Sequence, residues 1–275
     1  MIRLIDTYPH IVTYKSVNKS FSLETWKDYA DSISPFLYEK CYSDASEYDF
    51  EEDVAPVLNG MLYNRFERIE SAHQTLSGIY QGLPARISAL FSGEINIDIV
   101  YYLGLCNGAG WATTLGGKKT VLLGAEKIAE LGWHEPDTMG DLVCHELAHL
   151  IHFELRSDIV EPIKQVWQLY SEGFAVRYSQ TLYKEGYYHQ NQNGWLNFCI
   201  GNLPEIKKEY LNRIKSNQST SDFFGDWNQF MGVSNIGYYL GGEFVRTLGK
   251  SLSASEIASL SPEDITKALI RYLED

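Results

Sequence analysis

The chain has 275 residues, of which 44% are hydrophobic and 21% charged, a composition typical of globular proteins with room for one large domain or two lobes. Its formal net charge is -13 and its Lys and Arg residues form no cluster, which argues against nucleic acid as a partner. Residues 1–16 lack the apolar core of a signal peptide and no later segment is long enough to span a bilayer, so we expect a cytoplasmic protein with no membrane partner.

Helices are expected through most of the first ninety residues. Ser22 is a good amino-terminal cap, which predicts a short helix over residues 22–33. Apolar residues recur at spacings of three and four over residues 35–81, and a separate helix is predicted from Pro84 to Ser92. The acidic run over residues 44–53 is interpreted as solvated surface, with attraction of basic substrates as the alternative.

Strands are expected next, because the repeat of apolar residues changes to two. The segment Ile95–Ile99 alternates isoleucine with polar residues, as does a strand with one solvated face. Gly116-Gly117 separates residues 110–115 from residues 118–123, which predicts a hairpin. The apolar second run is expected inside the sheet and the glycine-rich first run at its edge. An extended peptide can add to such an edge as another strand, although a plain edge hairpin is the alternative.

A buried helix that carries metal ligands is predicted to start at Glu135-Pro136-Asp137. Residues 145–149 read HExxH, and apolar residues surround most of this helix. His145 and His149 stand one turn apart on one face, so both imidazoles can bind one cation. A hydrolytic zinc site also needs a carboxylate that is not a ligand, which Glu146 supplies. We therefore predict one zinc ion here, the alternative being a core helix with hydrogen-bonded histidines.

A catalytic zinc ion usually has three protein ligands, so one more residue is needed. His152 lies on the same stripe but about 10 Å along the axis from His145, too far for one ion on a straight helix. We expect it to make a hydrogen bond or to pack. Cys144 points away from the ligand face and is also expected to pack. It is one of four cysteines without a CxxC pair, which favours reduced thiols over disulfides.

Glu172 is the candidate for the third ligand. It lies on the next predicted helix, which opens at Glu161-Pro162 and ends near Tyr183. Gly173 follows it, and its missing side chain would let this helix approach the HExxH helix. The expected ligand set is therefore two histidines and a glutamate, with a surface glutamate as the alternative interpretation.

The remaining carboxy-terminal segments are also expected to be mostly helical. Helices are predicted over residues 203–216 and 237–248, and a last helix is capped by Ser261. Residues 184–201 look irregular, and residues 222–231 are rich in aromatic side chains.

The motifs together resemble a known class of enzyme. HExxH, followed on the next predicted helix by Ser171-Glu172-Gly173, resembles the gluzincin metallopeptidases, which include thermolysin-like proteases and zinc aminopeptidases. The chain is more similar still to a bacterial family described as predicted zinc-dependent proteases of unknown substrate. This resemblance spans roughly residues 95 to 250 and is carried by the segments HELAHLIHFE, SEGFAVRYS and IGYYLGGEFV. The resemblance implies that His145, His149 and Glu172 are zinc ligands and that Glu146 is the general base.

A second catalytic residue is implied by the same resemblance. Zinc aminopeptidases use a tyrosine from a YxxG segment to stabilise the oxyanion, and residues 238–241 resemble this segment at Tyr238. Tyr239 is the alternative, since Gly242 follows it by three residues. The chain departs from those aminopeptidases in lacking their GAMEN segment, which Gly124-Ala125-Glu126 resembles only weakly.

The resemblance also implies a fold and an activity. Because no clear linker interrupts the sequence, we expect one metallopeptidase-like unit over residues 1–275, and the resemblance implies a mostly helical, zincin-like (thermolysin-like) α+β fold. Its amino-terminal lobe, residues 1–155, would hold a small mixed sheet and the HExxH helix, and its helical carboxy-terminal lobe, residues 156–275, the third ligand. The expected activity is zinc-dependent hydrolysis of a peptide or protein substrate. The alternatives are a zinc-containing binding or regulatory protein with little turnover, and a hydrolase of non-peptide amides or esters.

Overall fold

The computed structural model describes residues 1–156, 163–225 and 229–275. These residues are mostly helical and include a small mixed four-stranded sheet, which confirms the predicted α+β class. The strands are β1 (Ile2–Asp6), β2 (Ile97–Tyr102), β3 (Gly110–Leu115) and β4 (Lys118–Gly124). The α-helices are α1 (Tyr8–Val17), α2 (Leu23–Ile33), α3 (Leu37–Asp44), α4 (Ala55–Asn59), α5 (Phe66–Leu90), α6 (Ala125–Leu131), α7 (Pro136–Leu155), α8 (Lys164–Leu182), α9 (Trp195–Gly201), α10 (Leu203–Ser216), α11 (Ile236–Leu248), α12 (Ala254–Ala258) and α13 (Pro262–Glu274). None of the described helices is both long and apolar enough to cross a membrane.

The chain forms two compact units. The first consists of Met1–Arg86 with Glu94–Glu146, and the second of Ile87–Gly93 with Leu147–Asp275. All four strands belong to the first unit, and the helices from α8 onward belong to the second. The HExxH helix α7 contributes residues to both units, whereas the predicted lobes were divided at its end.

The sheet has the strand order β1-β2-β4-β3. β2 runs parallel to both β1 and β4, and β4 pairs with β3 in antiparallel register, with Trp111 opposite Leu122. The hairpin turn is Gly116-Gly117, and both residues have positive φ, 57° and 82°, as two-residue hairpin turns of this kind require. The structure therefore confirms the predicted hairpin, with its apolar strand inside the sheet and its glycine-containing strand at the edge.

The amino-terminal strand β1 was not predicted. It has five residues and alternates poorly between apolar and polar positions, so its own pattern is weak. Its partner is β2, which it meets in parallel register with Ile2 opposite Ile97. A parallel partner so distant in sequence leaves no local signal comparable to a hairpin turn.

Several predicted helix ends are confirmed by their caps. The Ser22 hydroxyl accepts the backbone N–H of Thr25, and the Ser261 hydroxyl accepts that of Asp264, so α2 and α13 begin where the sequence indicates. α10 has the bounds predicted for it. The predicted start of α8 at Glu161-Pro162 lies outside the described residues, as do residues 226–228 of the aromatic-rich segment.

The prediction of a separate helix that begins at Pro84 is wrong, because this proline lies inside the long helix α5. Leu76, Ile79, Leu83 and Ile87 are all buried and form one apolar face that continues past the proline. Burial of that face offsets the cost of an interior proline, about 3 kcal/mol.

Four of the described helices were not predicted: α1, α6 and, in the carboxy-terminal part of the chain, the short helices α9 and α12. α9 occupies residues that were predicted to be irregular, and it buries Trp195 and Cys199. α12 is closed by a capping box between Ser253 and Glu256. Both helices span two turns or fewer, so their apolar residues repeat too few times for the period to be recognised in the sequence.

Candidate metal centre

Three side chains from α7 and α8 form a group that could hold a metal ion. They are His145, His149 and Glu172, and their ligand atoms all lie within 4.8 Å of one another. The two histidines stand one turn apart on α7, as the HExxH spacing requires, and α8 supplies the carboxylate. The structure thus brings together the three side chains that were predicted as ligands.

One distance in this group, called the metal-ligand group hereafter, matches the spacing of two ligands of a single metal ion. His149 Nε2 lies 3.4 Å from Glu172 Oε2. Two ligands of a tetrahedral zinc ion, each about 2.0–2.1 Å from the metal, are themselves about 3.3–3.4 Å apart. Two imidazoles and one carboxylate form a donor set found in hydrolytic zinc sites, where a fourth position stays open for water. The side chains of His149 and Glu172 keep 15% and 23% of their surface exposed, which is compatible with access from solvent.

Glu146 lies next to His145 but is not part of the metal-ligand group. Its carboxylate Oε2 accepts the backbone N–H of Ala112 in β3 at 2.8 Å. Gly110, two residues earlier on the same strand, lies so close that a Cβ there would stand 2.8 Å from Glu146 Cγ. The HExxH motif and the edge strand are therefore joined through Glu146. The glycine-rich run predicts an edge strand, but no feature of the sequence indicates that this strand contacts Glu146.

The expected role of Gly173 is wrong. The atoms that a Cβ on Gly173 would meet belong to the backbone of Gly241 in α11. This glycine therefore allows α8 to approach α11, whereas the prediction assigned it to an approach of the HExxH helix α7. The crossing of α8 and α11 requires glycine at position 173. The sequence does not indicate this crossing, because Gly173 and Gly241 also fit ordinary helix positions.

His152 packs among aromatic rings, as one of its two predicted roles requires. It is 1% exposed, and the ring centroids of Phe174, Tyr170 and Trp167 lie 4.3, 5.0 and 5.4 Å from its own. Within the described residues neither ring nitrogen has a hydrogen-bond partner. Burial lowers the pKa of His152 to about 3, so the ring is neutral at physiological pH. It is a packing residue and not a ligand.

Cys144 also packs, as predicted. It is fully buried, and burial raises the pKa of its thiol to about 12, although the charge of Arg86 acts in the opposite direction. A thiol of this kind stays protonated near neutral pH, whereas metal ligation needs the thiolate. All four cysteines are free thiols.

The two candidate oxyanion donors have different surroundings on α11. Tyr239 is 7% exposed, and its ring lies 5.8 Å from Tyr188 and 6.4 Å from Trp195 between ring centroids. Tyr238 is half-buried and meets the edge of Phe224 at 5.5 Å. Tyr239 is thus part of an aromatic cluster, and Tyr238 remains the predicted donor.

Glu126 has a role that was not predicted. It is completely buried, and its carboxylate accepts the backbone N–H groups of Gly104 at 2.7 Å and Cys106 at 3.1 Å. Burial raises its pKa, while these hydrogen bonds lower it. The carboxylate therefore holds the loop that leads to β3. Because the side chain is buried and already bonded, it is unsuited to binding the amino terminus of a substrate.

Known proteins give no further guide to this group. No protein-family model, curated protein or solved structure matches the chain. The case for a function therefore depends on the metal-ligand group and on the strand that contacts Glu146.

Proposed function

We propose that the protein is a zinc-dependent metallopeptidase of zincin-like fold, with His145, His149 and Glu172 as its zinc ligands. The observation that carries the proposal is the convergence of these three donors within 4.8 Å, beside a glutamate that is not one of them. A zinc ion in this group would supply Lewis acidity, which polarises a carbonyl and makes water a nucleophile near neutral pH.

Glu146 is the general base of the proposed reaction. Its Oε2 accepts the Ala112 N–H, which leaves Oε1 to accept a proton from the attacking water. The same carboxyl group can then donate this proton to the leaving amine. Glu146 directly follows the proposed ligand His145 in the sequence, which keeps the base beside the metal-ligand group.

The edge strand β3 supports a peptide as the substrate. The carbonyl of Ala109 accepts the N–H of Gly124, whereas the N–H of Ala112 points away from β4 to Glu146. Backbone groups alternate in direction along an antiparallel strand, so Gly110, Ala112 and Thr114 direct their N–H and C=O groups away from β4, and of these groups the Ala112 N–H is bonded to Glu146. An extended peptide that adds to this edge would lie beside Glu146.

Tyr238 is the proposed donor to the oxyanion that forms when the carbonyl is attacked. It lies on α11, three residues before Gly241, which contacts Gly173 next to Glu172. A phenol O–H placed where negative charge develops stabilises the transition state more than the substrate.

Metal analysis of the purified protein tests the proposal. We expect one zinc ion per chain in wild type prepared without chelators, and loss of zinc from both His145→Ala and Glu172→Ala. Glu154→Gln, an exposed change on α7, is the matched control and should keep the metal. Metal-free wild type would contradict the proposal.

Hydrolysis tests the catalytic part. Glu146→Gln should keep the zinc ion and lose hydrolysis of a peptide library, because the amide cannot accept the proton from water. Parallel assays with small amides and esters separate a peptidase from a hydrolase of other carbonyl compounds. Full activity of Glu146→Gln would exclude Glu146 as the base.

A further inference from the structure

We propose that the edge strand β3 positions the general base: the backbone N–H of Ala112 orients the Glu146 carboxylate, and Gly110 leaves the space that the Glu146 side chain occupies. This inference rests on the proposed hydrolase function, in which Glu146 takes the proton from water. It assigns Ala112 and Gly110 as positioning residues, since neither reacts itself.

The hydrogen bond from Ala112 fixes the tip of the Glu146 side chain. Its length is 2.8 Å, and its donor is a backbone group held by the sheet. Hydrogen bonds to a charged carboxylate are roughly twice as strong as those between neutral groups. This N–H is available because it points away from β4. A shift of β3 by one residue would direct it into the sheet instead, so the register of the hairpin determines the contact.

Gly110 packs against the Cγ atom of the same side chain, which is called the stem of Glu146 here. A Cβ at this position would lie 2.8 Å from Glu146 Cγ, 3.2 Å from Glu146 Oε1 and 2.8 Å from Leu142 Cδ1. Contacts this short force the neighbouring atoms to move, and Glu146 Cγ cannot move without turning the carboxylate. Glu146 is thus constrained at its stem by packing and at its tip by a hydrogen bond, and both constraints come from β3.

Proline at position 112 removes the donor while preserving the sheet. Because the Ala112 N–H is not bonded to β4, Ala112→Pro loses no sheet hydrogen bond, and proline is tolerated at such edge positions. We expect kcat to fall about 10- to 100-fold, with zinc content unchanged and KM little changed. Ala112→Ser keeps the backbone N–H, so its kcat should be close to that of wild type and well above that of Ala112→Pro.

Thr114→Pro is the matched control. Thr114 lies on the same strand, its N–H also points to the open edge, and its side chain is exposed. Because Thr114 belongs to the proposed docking edge, this variant should raise KM for an extended peptide and should lower kcat less than Ala112→Pro does. Equal kcat values for Ala112→Pro and Thr114→Pro would overturn the inference. Gly110→Ala tests the same inference through packing, because its added Cβ displaces the Glu146 side chain. We expect the same fall in kcat at unchanged zinc content.

Amide hydrogen exchange tests the contact without any substrate. We expect the Ala112 N–H of wild type to exchange at least about tenfold more slowly than the Thr114 N–H, because among the described residues only the Ala112 N–H of these two has a carboxylate acceptor. Glu146→Ala should abolish this protection and leave the Thr113 amide, which faces β4, as protected as before. An Ala112 amide that exchanges as fast in wild type as in Glu146→Ala would overturn the inference.

The two proposals can fail separately. A wild-type protein that binds no zinc and hydrolyses nothing would overturn the proposed function, and the positioning role would fall with it. An active, zinc-containing wild type whose Ala112→Pro variant keeps full kcat would overturn only the positioning role of β3.

Discussion

The backbones of Gly173 and Gly241 are in direct contact where α8 crosses α11. A Cβ on Gly173 would lie 2.8 Å from the Cα of Gly241, and a Cβ on Gly241 would lie 2.9 Å from the Cα of Gly173. Because the neighbouring atoms are backbone, a side chain at either position cannot be accommodated by a rotamer change. The crossing fixes the backbone next to Glu172, the third proposed zinc ligand.

Gly173→Ala is therefore expected to weaken both the fold and the metal centre. Separation of the two helices should lower the free energy of unfolding by about 1–3 kcal/mol and shift Glu172 away from the histidines. Denaturant unfolding and competition with a zinc chelator measure the two effects.

Gly78→Ala on α5 is the control for this change. No atom lies within 4 Å of the added Cβ, so stability should stay the same or rise by up to about 1 kcal/mol. If Gly173→Ala matched Gly78→Ala in stability and zinc affinity, the crossing would not fix Glu172.

Tyr238→Phe should reduce catalysis without affecting the metal. If the phenol O–H stabilises the oxyanion, its removal lowers kcat by about 10²–10³-fold at unchanged zinc content. Tyr239→Phe should leave kcat near the wild-type value, since Tyr239 belongs to the cluster with Tyr188 and Trp195. Kinetics of both variants on one peptide distinguish the residues, and a selective loss in Tyr239→Phe would reverse the assignment.

His152 should make the stability of the fold depend on pH. Its pKa is about 3 in the fold against 6.5 when unperturbed, so the histidine takes up a proton when the chain unfolds between these values. Its contribution to the free energy of unfolding is complete above pH 6.5 and is lost as the pH falls toward 3. The loss approaches about 1.4 kcal/mol per pH unit for one proton.

His152→Phe keeps a ring in the aromatic cluster and removes this titration. The stability of wild type relative to the variant should therefore fall as the pH is lowered from about 6.5, as measured by urea unfolding of both proteins at several pH values. A difference that stays constant with pH would show that His152 is not buried in its neutral form.

Glu126 should give the opposite dependence. Burial raises its pKa above the ordinary value of 4.5, so the folded state favours the protonated form. The contribution of this group to stability is present below pH 4.5 and is lost as the pH rises through the raised pKa. Relative to Glu126→Gln, which does not titrate, wild type should lose stability as the pH rises from about 4.5. A difference that grows with pH would mean that the hydrogen bonds from Gly104 and Cys106 outweigh burial.

The sequence by itself determined the features that depend on nearby residues. The spacing of His145 and His149 follows from the helical period, the Gly116-Gly117 hairpin from its turn residues, and the start of α13 from the Ser261 cap. Each of these depends on residues within one or two turns of one another, so the pattern is readable without knowledge of the fold. The choice of Glu172 needed a resemblance as well, because a carboxylate on another helix has no fixed spacing from the motif.

The tertiary structure alone decided which residues distant in sequence meet. It joins Ala112 to Glu146, places Gly241 against Gly173, pairs β1 with β2 and buries Glu126 against a loop. Such contacts arise because packing and hydrogen bonding satisfy surfaces across long sequence separations, and many alternative partners would satisfy the same local pattern. Only the folded chain shows that Glu146 of the HExxH motif accepts a hydrogen bond from the edge strand, because that contact depends on the register of a hairpin more than thirty residues away.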